Sequence, residues 1–201
     1  MKIIAGYPSI SENGFFVTKV MVWPDSVLIK SGKPVFIPED GNYDIFWGVG
    51  AKITSVGKSI RKKFAGRYYN EVAPVAFLLN KEASSKLQVK HDPSACDIVE
   101  DYSVICGDFI PSDELKGNCK LKVRMRSLDS QELSGTDCFE EATLKDVDDT
   151  LNEVMETASK RNTIKTGDLV ACFLDGHFSA KTDTVLSIGI NHRILLENKL
   201  K

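Results

Sequence analysis

The sequence predicts a sheet-dominated α+β fold on three observations. Turn signals recur at short intervals. The segments between them are rich in β-branched and aromatic residues. Only two stretches carry apolar residues at helical spacing. The turn signals are Tyr7-Pro8, Glu12-Asn13-Gly14, Ser31-Gly32-Lys33-Pro34, Pro38-Glu39-Asp40-Gly41 and Pro111-Ser112-Asp113. Such clusters favour turns because Pro presets φ, Gly admits positive φ, and Asn and Asp side chains bond to nearby backbone.

Taken in order, "FFVTKVMVW", "SVLIK", "PVFI" and "IFWGVGAKI" predict strands. The last belongs to "NYDIFWGVGAKI" (Asn42 to Ile53), where only apolar residues and glycine occupy Ile45 to Ala51, the pattern of a buried strand. "SIRKKFAGRYYNEV" predicts a helix with Ile60, Phe64 and Tyr68 on one stripe and Arg61, Lys62, Lys63 and Arg67 outside. "CKLKVRMRS" alternates, with Leu121, Val123 and Met125 facing one way and Lys120, Lys122, Arg124 and Arg126 the other, a half-buried strand followed by a polar turn. Leu144, Val147, Leu151, Val154, Met155 and Ala158 recur at helical spacing, and Thr143 with Asp146 forms a capping box at the N-terminus. Asn162 or Gly167 marks the exit, and "DTVLSIGINHRILLENKLK" predicts two strands joined through Gly189-Ile190-Asn191-His192. Without repeats, low-complexity tracts or linkers, residues 1–201 read as one domain.

Composition narrows the function classes. The chain is 42% hydrophobic and 27% charged with a formal net charge of -2, so it lacks the basic bias of a nucleic-acid or anionic-membrane binder. No run approaches the roughly 18 apolar residues of a membrane span, and "MKIIAGYPSIS" has no signal-peptide core. The five cysteines (Cys96, Cys106, Cys119, Cys138, Cys172) are odd in number and form no C-x-x-C pair, which fits reduced thiols in a cytoplasmic protein. His91, His177 and His192 lack zinc spacing.

Four segments in order, "PDSVLIKSGKPVFIP", "VGKSIRKKFAGRYYNEV", "CGDFIP" and "TLKDVDDTLNEVMETASKRNTIKTGDLV", resemble the fumarylacetoacetate hydrolase family in its short bacterial form. The resemblance implies the β-rich mixed fold of that family's C-terminal domain, a homodimer, and Mg²⁺, Ca²⁺ or Mn²⁺ held by carboxylates. It also implies hydrolysis, decarboxylation, hydration or isomerisation of small oxo-acids. Such hard cations need several oxygen ligands, preferably anionic. The family supplies a Glu-x-Glu on one strand, whose two side chains share a face, and an Asp further along. Laid backwards and forwards from "RYYNEV", that pattern puts the two Glu positions at Phe46 and Gly48 and the Asp at Phe77.

No change of register restores the pair. Asp44 is the last acid before Glu71, and none follows Glu71 until Glu82. Other departures accompany this one. "YPSISENGFF", where the family carries a His and a Glu, has Glu12 but no His; a substrate-side Lys falls near Ile98. Cys172-Phe173-Leu174-Asp175 replaces a Thr-Gly-Thr-Pro loop, and Lys81-Glu82 stands where Arg-Asp is common. Phe46 and Phe77 are therefore expected to fill the former cavity, each with about 150–250 Å² of ring surface.

Other clusters have bland readings. Cys172 with Asp175-Gly176-His177 could be a nucleophile group, but "DGH" is a good turn. Glu39, Asp40 and Asp44 around Gly41 could hold calcium, but the ligand spacing of a known loop is missing. Arg61-Lys62-Lys63 with Arg67, Tyr68 and Tyr69 reads as a solvated helix face, as does the acidic run Asp146, Asp148, Asp149, Glu153 and Glu156. Trp23 either stacks on a flat ligand or packs, and packing is the expectation.

The expectation is thus a non-catalytic family member that binds or regulates, as a homodimer or beside an active paralogue, with no metal cofactor. Its residual pocket would comprise Trp23, Phe46, Gly48, Phe77, Lys81, Cys172 and Asp175. Two alternatives stay open. One is a divalent-metal-dependent hydrolase, decarboxylase or isomerase of small oxo-acids (acylpyruvate or fumarylacetoacetate-like) with replacement ligands. The other is a metal-free pocket for an aromatic metabolite, lined by Trp23, Phe46, Trp47 and Phe77.

Overall fold

The computed structural model describes residues 1–11, 14–39, 41–81, 100–115, 119–128, 138–144 and 147–201, and for 8–11, 14–16, 18 and 175 the backbone alone. Its strands are β1 (Lys2–Ser11), β2 (Gly14–Pro24), β3 (Leu28–Lys30), β4 (Tyr43–Ile53), β5 (Tyr69–Asn80), β6 (Val104–Cys106), β7 (Ile110–Pro111), β8 (Lys120–Ser127), β9 (Cys138–Thr143), β10 (Leu169–Ser179), β11 (Thr184–Ile190) and β12 (Arg193–Leu200). Among the described residues the α-helices of more than one residue are α1 (Lys62–Ala65) and α2 (Val147–Arg161). One sheet of eight strands runs β2-β1-β10-β4-β5-β6-β3, with β7 pairing β5; a second runs β12-β11-β8-β9. The architecture is β-rich α+β.

The interior strand β4 is antiparallel to β5 on one side and to β10 on the other. Its odd residues Tyr43, Ile45, Trp47, Val49, Ala51 and Ile53 enter the larger core, with the buried stripe of α2 and the inner face of the second sheet. That stripe is Leu151, Val154, Met155 and Ala158. The four-stranded sheet contributes Leu121, Val123 and Met125, all at most 1% exposed, so the alternation of β8 emerges in the folded chain as expected. Helix and sheet approach closely at Gly6, where an added Cβ would lie 2.3 Å from a methyl of Val154.

The basic segment at 59–72 departs from the helical expectation. Only the single turn of α1 is helical, and Tyr69–Val72 joins β5, where cross-strand bonding to β4 and β7 outweighs a weakly amphipathic pattern. Phe64 is 38% exposed, between the cationic groups of Lys63 and Arg67 at 4.9 and 4.8 Å from its ring. Lys62 reaches across to α2, with Nζ 2.7 Å from Asp149 and 3.2 Å from Glu153, so this part of the basic face is docked. The bond to Asp149 raises the Lys62 pKa.

Two further local expectations change. "PVFI" forms no strand: Val35 makes an isolated bridge to Leu200, and Phe36 is 71% exposed. "DGH" lies inside β10, not at a turn. The capping pair of Thr143 and Asp146 falls partly outside the described residues. No helix among the described residues is long and apolar enough to cross a membrane.

Asp168 ties the start of the chain to the entry of β10. Its carboxylate accepts from the backbone N–H of Lys2 and of Lys165, each at 2.8 Å, and lies 3.5 Å from the Lys2 ammonium. It is 2% exposed, so removing it leaves two donors without their acceptor. Asp168→Ala is expected to lower stability by about 1–3 kcal/mol in urea denaturation, and Asp168→Asn, which keeps one acceptor oxygen, by less.

Candidate ligand site on the eight-stranded sheet

The even-numbered residues of β4 point away from the main core. Asp44, Phe46 and Gly48 therefore form a row on one face. Strand pairing sets their neighbours: Phe46 is opposite Phe77 of β5 and His177 of β10, and Gly48 is opposite Val75 and Phe173. Between Phe173 and His177 the pairing shifts, leaving three residues of β10 facing Trp47 alone. Gly176 makes this possible with φ +113°, and its side-chain direction is occupied by Glu140 and Trp47.

The centre of the row is hydrocarbon. The Phe77 and Phe173 rings lie 4.2 Å apart, Trp23 is 5.8 Å from Phe77, Phe46 meets Phe173 edge-on at 6.2 Å, and Tyr7 is 5.5 Å from Phe173. The three longer spacings fall within the range of about 4.5–7 Å favoured by aromatic pairs, and Phe77 and Phe173 are closer still. Phe77 and Phe173 are fully buried, Trp23 nearly so, and Phe46 half-buried. Gly48 is closed by backbone, since an added Cβ would sit 1.9 Å from the Cys172 carbonyl oxygen.

One end of the row is polar. The Asp44 carboxylate, 6% exposed, accepts from the Ser179 hydroxyl at 3.2 Å, pairs with Lys81 Nζ at 3.2 Å and lies 4.0 Å from His177 Nε2. The His177 ring stacks on Phe46 at 5.2 Å and is half exposed. A buried carboxylate requires this compensation, because desolvation without partners costs several kcal/mol. The arrangement joins a charged hydrogen-bonding corner to an aromatic surface.

The expected pocket residues divide between the two faces. Trp23, Phe46, Gly48 and Phe77 share the aromatic face, and Lys81 stands at its polar end. Cys172 is on the opposite face, packed into the main core with Sγ 3.6 Å from the Val49 carbonyl oxygen. The sheet therefore separates it from His177, and burial pushes its thiol up to about 12. Trp47 also lies on that opposite face, against Phe178 at 4.7 Å. The Asp175 side chain, Glu12, Asp40, Glu82 and Ile98 lie outside the described residues. Asp44 points to Lys81, not into a loop around Gly41. Sequence reading missed Tyr7, Phe173, His177 and Ser179 as neighbours of this face; the pairing of β10 with β4 brings the last three there, and neither its partner nor its shifted register is written locally.

These residues do not fit a Mg²⁺, Ca²⁺ or Mn²⁺ ion. Asp44 is the carboxylate of the row, and an ammonium already pairs with it. The buried indole N–H of Trp23 has no acceptor, and a donor hydrogen repels a cation. Among the described residues, no group of three or more His, Cys, Asp or Glu side chains converges as such an ion needs.

No protein-family model and no curated protein matches the sequence. Solved structures do. The whole chain superposes with a TM-score of 0.81 at 17% identity on a candidate isomerase from Escherichia coli, covering 91% of it. The fumarylpyruvate hydrolase of Pseudomonas aeruginosa, solved with Mn²⁺ and pyruvate, matches all of this chain and 89% of its own at TM-score 0.76 and 14% identity. The 5-carboxymethyl-2-hydroxymuconate delta-isomerase of Mycobacterium smegmatis matches at TM-score 0.74 and 14% identity, over 99% of this chain and 76% of its own. At such identities the common property is the fold, the β-rich α+β type of the fumarylacetoacetate hydrolase C-terminal domain.

Two measurements check this description. Phe77→Ala is expected to cost about 3–5 kcal/mol of unfolding free energy, and Phe46→Ala, at a half-buried position, clearly less. Cys106 and Cys172, both pushed up to about 12 by burial, stay as thiols at pH 8. Both should resist iodoacetamide in the folded protein, read by peptide mass, and label fully in urea.

Proposed function

We propose that this chain is a non-catalytic member of the fumarylacetoacetate hydrolase superfamily, a single-domain cytoplasmic protein that binds or regulates as a homodimer or beside an active relative. One observation carries the reading: the packing of Phe46, Phe77, Phe173 and Trp23 where the resemblance puts metal-binding carboxylates. Hydrocarbon cannot replace the hydration shell of a divalent ion, so dehydration there would go uncompensated. Closure of position 48 by the Cys172 carbonyl supports the same reading, because a glutamate at that position would require β4 and β10 to separate. The surface such a protein offers a small ligand is the exposed part of the face, with Phe46 and His177 for stacking and Lys81 for an anionic group.

The second reading is a metal-dependent hydrolase, decarboxylase or isomerase of small oxo-acids with replacement ligands. It is favoured by Asp44, a buried carboxylate two residues before Phe46 on the same face. Calorimetric titration with Mg²⁺, Ca²⁺ and Mn²⁺, together with turnover assays on oxaloacetate and acylpyruvates, separates the two. The first reading expects no micromolar heat and no chelator-sensitive turnover. Micromolar binding that disappears in Asp44→Asn would overturn it. Light scattering is expected to give the mass of two chains.

A further inference from the structure

A second concave site lies at the other end of the same sheet, independent of the reading above. Lys52 at its mouth stands eight residues beyond Asp44 on β4, about 26 Å along the strand. The cleft encloses ≈ 450 Å³, within the range of about 300–1,000 Å³ typical of small-ligand sites. Its inner wall is apolar: Leu169 and Cys106 are 3% and 5% exposed, and Leu28 lies beside them. Phe109 and the Met1 side chain extend this surface outward, and Phe109 is 37% exposed.

The charged groups at the mouth are unevenly matched. Lys30 and Lys52 both line it, and neither ammonium has an ion pair among the described residues. Lys52 instead lies 5.8 Å above the Phe109 ring, a weak contact for an ammonium at a surface. Asp108 is the acid of the mouth. The α-ammonium of Met1, which also lines the cleft, is paired with Asp25 at 3.7 Å, so Lys30, Lys52 and Asp108 leave the opening with one net positive charge over an apolar floor. That combination suits a single anionic head on an apolar body and opposes a second carboxylate, which would face Asp108.

The geometry points to a binding site for a small monocarboxylate with an apolar tail. The tail would rest against Leu28, Cys106 and Leu169, with the carboxylate between Lys30 and Lys52. Two ammonium groups lining one cleft supply orientation, and the apolar wall supplies most of the affinity. Burial of Cys106, whose thiol sits at about 12, keeps that wall uncharged at neutral pH.

Octanoate, 1-octanol and suberate test the assignment on the full chain by calorimetry and amide NMR. Octanoate should bind at least ten-fold tighter than either of the others, and its titration should move the Gly107 and Gly167 amide signals, both glycines lining the cleft. Lys30→Met with Lys52→Met should weaken octanoate ten-fold or more while leaving the melting temperature of the free protein unchanged. The proposal falls if octanol binds as well as octanoate, if suberate binds tighter, or if the double variant binds octanoate normally. It falls equally if octanoate does not bind, or moves only signals around Phe36 and Tyr102 in the neighbouring apolar groove. Should the double variant lose stability, Lys52→Arg, which keeps the charge, must retain binding.

Discussion

The close approach of β4 and β10 at Gly48 is the constraint on which the rest of this face depends. With no Cβ at position 48, the Cys172 carbonyl fits against β4, and Phe173 can lie over the gap toward Phe77. Any side chain there would force the two strands apart and with them the interior of the eight-stranded sheet. The aromatic filling is therefore coupled to the backbone path. Strand geometry and ring packing require each other, so a substitution at position 48 disturbs both.

This coupling shapes the energetics of the row from Asp44 to Gly48. Its centre stabilises by burying large rings in mutual contact, which brings dispersion and hydrophobic terms without desolvating charge. Its end keeps one carboxylate, compensated by Lys81 and Ser179. Clustered carboxylates around a metal would act in the opposite direction on the apo fold, through like-charge repulsion in a low-dielectric setting. Rings in such a row thus favour scaffold stability, whereas an electrostatically preorganised site would cost it, the trade commonly met between stability and activity.

Much of the fold was legible in the sequence because its signals are periodic. β8 declares itself by alternation, α2 by its stripe, and the final hairpin by two strand patterns, although Gly189 and Ile190 of the expected joint belong to β11 and only Asn191-His192 turns, with Asn191 at φ +55°. The segment around Phe64 was misread because three apolar residues at helical spacing do not outweigh sheet pairing of Tyr69–Val72. At the site, local spacing could indicate that residues 44, 46 and 48 share a face. It could not indicate that residues 173, 177 and 179 join them, since the shifted register at Gly176 sets which β10 residues meet which of β4. Parity also separates Cys172 and Trp47 from the residues beside them in sequence, a distinction that a list of nearby residues cannot make.

Lys81 clarifies what the polar end can and cannot do. A divalent ion offers two charges and open coordination positions, so it can neutralise several carboxylates and still polarise a substrate oxygen. An ammonium offers one charge and hydrogen-bond donors on a tethered stem. Paired with Asp44 it satisfies that carboxylate, and half exposed it can still donate outward to an anion. It cannot act as a Lewis acid. A corner built from Lys81, Asp44, His177 and Ser179 can therefore recognise charge and stack a ring, which are the capacities of a binding surface. Hydrolysis or isomerisation there would need proton transfer by His177 itself. Its Nε2 lies 4.0 Å from Asp44, beyond hydrogen-bond reach. The carboxylate thus does not fix a tautomer or orient the ring, and stacking on Phe46 is what holds it.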